Sequence, residues 1–371
     1  MLYFSQLHIK NYHTAPRDRL LRAHAEQNYT ESKGSESLKS INRKEPSIGL
    51  ILGDHAGIGP EIIAKSLMEG PQNYTPVIIG SHEMAIDVLN RYMPDVEIIS
   101  FPMSGETEPS IEGKRRVYIF DVPSGKDIQV GKVTTDSGKL IYDSLCAGVK
   151  LYKDGLVDGL VMAPITKQAL HMAGLHYGSE FEVFAEQFQR THVKSVVKAE
   201  QVFRSTVVGH CAFSEITKRL TTEGIIVTGT QLLEVMDNFG QKDKGIAVAA
   251  LNPHAGEDGL FGDEEARVIQ PAIEELQKTG VKVIGPCPAD TVFLKAMKGE
   301  VGGVVFLYHD QGNIAMKSSF FGASVLIYTD LPCPILSVGH GSALDIAGKG
   351  IADPDNITAC ICTLLEMLNS K

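Results

Sequence analysis

Three histidines hold equivalent positions in this chain of 371 residues. His210 follows the run Val207-Val208-Gly209, His254 follows Leu251-Asn252-Pro253, and His309 follows Phe306-Leu307-Tyr308. A single histidine at the end of an apolar run is ordinarily a hydrogen-bonded structural residue. Three at the same place in a strand–helix alternation converge, because strand ends of one sheet lie side by side. Neutral imidazoles are common ligands for Zn, Fe, Ni and similar ions. Three protein ligands with a position left open form the catalytic arrangement of a divalent metal.

Other segments rich in glycine and polar residues also fall after apolar runs, where open α/β sheets collect functional residues. Gly53-Asp54-His55-Ala56-Gly57-Ile58-Gly59-Pro60-Glu61 is a glycine turn leading into a helix whose N-terminus could hold an anion; it matches neither G-x-G-x-x-G nor a P-loop. Lys317 lies downstream of His309 in His309-Asp310-Gln311-Gly312-Asn313-Ile314-Ala315-Met316-Lys317, which reads as a site loop. Gly339-His340-Gly341-Ser342-Ala343-Leu344-Asp345-Ile346-Ala347-Gly348-Lys349-Gly350 would let backbone N–H groups approach a flat or anionic ligand closely.

The elements that must position these residues alternate. Strands are expected at Ser47 to Gly53, Thr75 to Gly80, Arg116 to Asp121, Leu156 to Ala163, Phe203 to Gly209, Gly245 to Leu251, Val281 to Gly285 and Gly302 to Tyr308. Helical periods cover Ser81 to Tyr92, Ser137 to Tyr152, Thr222 to Phe239, Glu264 to Thr279 and Asn356 to Leu368. Such alternation predicts an α/β fold with a largely parallel sheet. Residues 1–45 are polar, without a sustained apolar period, and are expected to be a disordered extension; residues 46–371 would form the folded unit.

Composition narrows the function. A net charge of -10 gives a nucleic-acid partner no support at the level of the whole chain, so an anionic substrate would need a local cation. The 6 cysteines form no C-x-x-C pair and fit reduced thiols in the cytoplasm. No apolar run approaches the ~18 residues of a membrane helix, and no secretory leader is visible.

Taken together the motifs are specific. The first loop, Ala163-Pro164-Ile165-Thr166-Lys167, Leu251-Asn252-Pro253-His254-Ala255-Gly256-Glu257, Pro288-Ala289-Asp290-Thr291 and Tyr308-His309-Asp310-Gln311-Gly312 resemble the PdxA family, 4-hydroxythreonine-4-phosphate dehydrogenase and its relatives, from about Ser47 to the C-terminus. The glycine-rich segment from His340 also resembles the cofactor loop of isopropylmalate and isocitrate dehydrogenases. The resemblance implies their fold, which is not a Rossmann fold: two interleaved α/β lobes with a cleft between them, in a homodimer with a shared active site. It implies a divalent metal (Zn, Mg, Co, Mn or Ni) on His210, His254 and His309, with His309 reaching the partner subunit's site. NAD or NADP would lie along His340, Gly341, Ser342, Ala343, Asp345 and Gly348. Lys317 would touch substrate, Asp290 would stand near the metal, and Asp290 or Lys167 would take the hydroxyl proton.

Departures from the family set the substrate expectation. Where the family has G-H-T-E, this chain has Ser179-Glu180-Phe181-Glu182; where it places an Asn and an Arg on substrate, an ungapped match gives Leu326 and Ile335. Gly322-Ala323-Ser324 and Ser337-Val338-Gly339-His340-Gly341-Ser342-Ala343 are similar to the dihydrodiol dicarboxylate dehydrogenases. His55 replaces a family proline. Loss of a bidentate Arg and gain of a carboxylate argue against phosphate recognition. The resulting expectation is a metal-dependent NAD(P) dehydrogenase for a small, non-phosphorylated, carboxylated alcohol, with Glu180, Phe181, Leu326 and Ile335 lining its pocket and decarboxylation following oxidation. The alternatives are 4-hydroxythreonine-4-phosphate dehydrogenase of vitamin B6 biosynthesis and a catalytically silent metal- and dinucleotide-binding sensor.

Overall fold

Apolar runs too short for buried helices form the strands. In β1 (Ser47–Ile51), Ile48, Leu50 and Ile51 are fully buried, as expected where helices cover both faces of a sheet. The computed structural model describes residues 45–101, 115–320, 322 and 324–370. Apart from Glu45, the expected disordered extension lies outside the described residues.

One sheet of 12 strands runs through the described chain. From one edge its order is β3 (Glu97–Phe101), β4 (Arg116–Asp121), β2 (Thr75–Gly80), β1, β5 (Gly159–Met162), β12 (Ile335–Val338), β11 (Val325–Tyr328), β6 (Ser195–Ala199), β7 (Val202–Val208), β10 (Gly303–Tyr308), β8 (Ile246–Ala249) and β9 (Val283–Cys287). The pairs β12–β11, β11–β6 and β6–β7 are antiparallel and the other neighbours parallel. The sheet is thus largely parallel, and its order is not the 3-2-1-4-5-6 of a Rossmann fold.

Helices cover both faces: α1 (Gly59–Glu69), α2 (His82–Tyr92), α3 (Thr135–Lys153), α4 (Lys167–Met172), α5 (Glu180–Phe188), α6 (Thr222–Asp237), α7 (Gln270–Gln277), α8 (Val292–Met297), α9 (His309–Ser319) and α10 (Asp355–Asn369). Their starts follow local chemistry. Pro60 opens α1, where a missing N–H costs nothing. Thr134 and Ser137 form a capping box on α3. The Thr221 side chain accepts from Gly224 N at the start of α6.

The segment expected to be a site loop after His309 is instead the helix α9. Glycine is tolerated at position 312 because a Cβ there would come 2.9 Å from Phe306 and 3.3 Å from the Cδ of Arg204. The helix lies tight against β10 and β7, with no room for a side chain at that point.

Candidate active site

The register of β7 and β10 brings two of the three histidines together. Val208 pairs with Tyr308 on the parallel neighbour, so His210 and His309 emerge at the same sheet end. Their ring centroids are 4.5 Å apart. The Nδ1 of His309 lies 2.7 Å from Asp310 Oδ1, which leaves Nε2 open to a ligand. The pKa of His210 is lowered, first by burial and then by the nearby His309 and Lys167, which favours the neutral, metal-binding imidazole.

Both histidines line a cavity of about 820 Å³. On one wall, α9 presents His309, Asn313 and Lys317 at helical i, i+4 and i+8. The floor is a cross-strand row: Met162 pairs with Ser337, Ser337 with Leu326, Leu326 with Val197, and Val197 with Arg204. Lys167, Lys194 and Arg219 complete the basic lining, against which Glu180 and Glu182 are the acidic lining residues. Glu180 is tied down, since the Tyr328 hydroxyl donates to its Oε1 at 2.5 Å. Glu182 accepts from the backbone N–H of Gly178 at 2.8 Å.

Beside this cavity the two glycine-rich loops lock together. Ile58 N donates to Ser342 O at 3.0 Å, and the hydroxyls of Thr166 and Ser342 are 2.9 Å apart. A Cβ on Gly57 would fall 2.6 Å from Ser342 O, so the glycine permits this approach. Lys65 Nζ donates to the carbonyls of Gly350 and Ala352, while Glu61 accepts from Ala352 N at 2.8 Å. His340 and Gly341 line the cavity; Ser342 is buried at the loop contact, Ala343 adjoins it with φ 42°, and Asp345 and Gly348 are exposed beyond.

Of the other residues singled out in the sequence, Lys167, Lys317, Glu180, Phe181 and Leu326 line the cavity. His254 and Asp290 do not; both are exposed. His254 stands on a turn where residues 254–258 all have positive φ and only Gly256 is a glycine. Ile335 is 0% exposed; it shares the sheet face of Ser337 but packs in the core two residues before it and does not line the cavity. Among the described residues no group of three or more His, Cys, Asp and Glu side chains is placed to hold a metal. Sequence reasoning missed Lys194, Arg204, Arg219 and Asn313. Arg204 carried a usable signal: it is the one charged residue in the strand Val202–Val208.

A model of the family described as "Pyridoxal phosphate biosynthetic protein PdxA" matches residues 72–363. The chain belongs to the PdxA family. It is 35% identical over 323 residues, 85% of this chain and 94% of the relative, to a 4-hydroxythreonine-4-phosphate dehydrogenase of Desulforapulum autotrophicum. It is 33% identical over 323 residues, 86% of this chain and 96% of the relative, to a provisionally named D-threonate 4-phosphate dehydrogenase of Clostridium botulinum. The crystal structure of the 4-hydroxythreonine-4-phosphate dehydrogenase of Klebsiella pneumoniae superposes with a TM-score of 0.75 at 33% identity, covering 88% of this chain and 100% of that one. A terephthalate 1,2-cis-dihydrodiol dehydrogenase of Burkholderia xenovorans shares the fold at a TM-score of 0.59 and 24% identity, covering 87% of this chain and 98% of that one. The chain is therefore an NAD(P)-dependent oxidoreductase of the class acting on CH–OH groups, and the silent-sensor alternative falls away.

The expected non-phosphorylated substrate is overturned by the relatives that are 33–35% identical, which are named for phosphorylated ones. The physical reasons are now visible. Glu180 is held by Tyr328, Ile335 does not line the cavity, and Lys194, Arg204 and Arg219 add positive charge to that of Lys167 and Lys317. Among the described residues no helix is long and apolar enough to cross a membrane.

Proposed function

We propose that this chain oxidises the secondary alcohol of a short phosphorylated hydroxy acid with NAD(P), as 4-hydroxythreonine-4-phosphate dehydrogenases do. One observation carries the reading: five basic side chains and two acidic ones line a cavity beside a histidine pair, in a chain of net charge -10. Such a local reversal of charge concentrates and orients an anionic substrate.

His210 and His309 fit a divalent ion, because their imidazoles face one another, burial favours the neutral ring of His210, and Asp310 orients that of His309. A bound ion would supply Lewis acidity to substrate oxygens. Lys167 lines the cavity near His210 and would take the hydroxyl proton. Lys317 supplies charge for the substrate carboxylate. The locked loop from His340 to Gly348 is the surface offered to the dinucleotide, with Ser342 held by Thr166 and Ile58. Oxidation of a hydroxyl β to the carboxylate yields a β-keto acid, which loses carbon dioxide readily. A homodimer with shared sites belongs to the same proposal, with His254 and Asp290 as residues brought to the metal only in the assembly.

The test is direct. The chain is loaded with divalent metal and mixed with NAD or NADP and either 4-hydroxythreonine 4-phosphate or threonate 4-phosphate. Absorbance of the reduced nicotinamide should rise with at least one combination. No reduction with any of the four overturns the reading.

A further inference from the structure

The strand β7 is apolar or small except at one position. Arg204 sits in the sheet with 8% of its surface exposed, its neighbours across the strands being Val197 and Val304. A buried guanidinium is costly unless an opposite charge compensates it. Here the contacts are neutral. Nη1 donates to Thr206 Oγ1 at 3.0 Å, Nη2 donates to Asn313 Oδ1, and the buried Nε has no partner. Burial alone lowers its pKa, to about 10, and no carboxylate acts against that. The side chain nevertheless lines the cavity.

We propose that Arg204 is the phosphate-recognition residue of this site, with Thr206 and Asn313 fixing its guanidinium at the cavity floor. The proposal rests on the functional reading above and names the group that binds the substrate's anion. A guanidinium presents several N–H donors in a planar fork that matches phosphate oxygens. The residues at which the family resemblance places an Asn and an Arg are Leu326 and Ile335. Leu326 lies in the same floor row, with Val197 on β6 between it and Arg204. Arg204 is thus the charged residue of the floor row, two strands from Leu326.

Spacing supports the assignment. The helix α9 and the strand β7 face each other with two rungs between them: His309 meets His210, and Asn313 meets Arg204. Four helical residues separate the rungs along α9, about 6 Å of rise. A short chain with its hydroxyl at the histidines would direct its terminal phosphate along α9 toward Arg204. The loop assigned to the dinucleotide follows β12, with β11 and β6 between it and β7.

The experiment uses the metal-loaded full chain and the variants Arg204→Gln and Arg204→Lys. The kcat/KM ratio of the phosphate ester over its dephosphorylated counterpart should fall roughly 100-fold in Arg204→Gln, mostly through KM, and partly recover in Arg204→Lys. Inorganic phosphate should raise the melting temperature of the parent chain and leave that of Arg204→Gln unmoved. An unchanged ratio, or an equal loss for both compounds, overturns the proposal. Should Arg204→Gln not fold, Asn313→Leu releases the guanidinium without removing it, and must lower the same ratio; an unaltered ratio again overturns the assignment. Should the parent chain oxidise neither compound, the functional reading falls by itself. Phosphate protection then still decides Arg204: lost in the Gln or Leu variant, the anion site stands; equal to the parent, it does not.

Discussion

The hydroxyl of Tyr328 donates to the carboxylate of Glu180 across 2.5 Å, joining the strand β11 to the start of α5 at the cavity wall. Tyr328 is buried, and desolvation followed by the neighbouring carboxylate holds its pKa well above the ordinary phenol value, so it stays a donor. The pair removes Glu180 from competition with an anionic ligand. Tyr328→Phe should free that carboxylate and raise KM for the phosphorylated substrate about tenfold, from one repulsive charge a few ångströms away at intermediate dielectric. Adding Glu180→Gln to the same chain should return KM toward the parent. A double variant no better than the single one would mean that Tyr328 acts only through packing.

Asp310 holds the ring of His309 through Nδ1. Partners of this kind orient an imidazole and raise its basicity toward a metal. Asp310→Asn is expected to weaken binding of a divalent ion by about 10–100-fold without unfolding the chain. Competition against a fluorescent chelator reads this without any turnover. A chelator that strips the metal should abolish NAD(P) reduction, and re-addition of the ion should restore it.

His55 gives the fold a pH dependence of defined sign. Its Nε2 accepts from the backbone N–H of Ser81 at 3.0 Å, and its Nδ1 donates to Gly53 O at 3.1 Å. Both bonds suit the neutral ring, and burial lowers the pKa from 6.5 to about 4. Between these values the unfolded chain binds the proton and the folded chain does not, so stability present above pH 6.5 is lost as the pH falls toward 4. The loss is roughly 3 kcal/mol at the acid end. His55→Gln, which can keep both hydrogen bonds but does not titrate, should show a flatter dependence of urea midpoint on pH over this window. Parallel curves for the two chains would exclude His55 as the source.

The residues of the site were legible in the sequence where chemistry and chain position coincide. His210 and His309 end adjacent parallel strands, and the strand pattern alone places them together. The first loop and the His340 segment were found by their glycines, and their mutual contact explains why Gly57 lacks a side chain. The antiparallel insert β11–β6 was not legible. β6 carries Lys198 and Ser195 among its valines, its turn to β7 is Glu200-Gln201 without glycine or proline, and its other partner, β11, is distant in sequence. The cavity floor is built from these strands. Of the residues assigned to substrate by linear matching, Leu326 lines the cavity, whereas Ile335, two residues before Ser337 on the same face of β12, is covered by the core.

Lys65 clamps the proposed dinucleotide loop from α1, reaching the carbonyls of Gly350 and Ala352 at 3.0 and 2.7 Å and Glu61 at 2.8 Å. The network is part-buried, so its loss costs more than that of a surface pair, about 1–3 kcal/mol. Lys65→Met keeps the aliphatic stem and removes the donors. KM for NAD(P) should rise while KM for the acid substrate stays near the parent value, because Lys65 holds the far end of the loop, at Gly350 and Ala352, which do not line the cavity. Equal changes in both KM values would show a global loosening instead.

The two histidines that meet in one chain also decide whether the site is shared. If His309 serves the metal of a second copy, as the family resemblance implies, His210→Ala and His309→Ala damage different halves of one composite site. Each variant alone should be inactive. When the two are unfolded, mixed in equal amounts and refolded, half of the dimers are mixed, and each mixed dimer contains one site with both histidines intact. Recovery of about a quarter of parent activity and metal content follows from that pairing. If the metal instead sits between His210 and His309 of the same chain, whose rings lie 4.5 Å apart, every chain in the mixture carries one defective ligand. No recovery is then possible in any dimer. Metal content per chain, measured on the mixture alongside turnover, separates the two arrangements even if the refolded protein is only partly active.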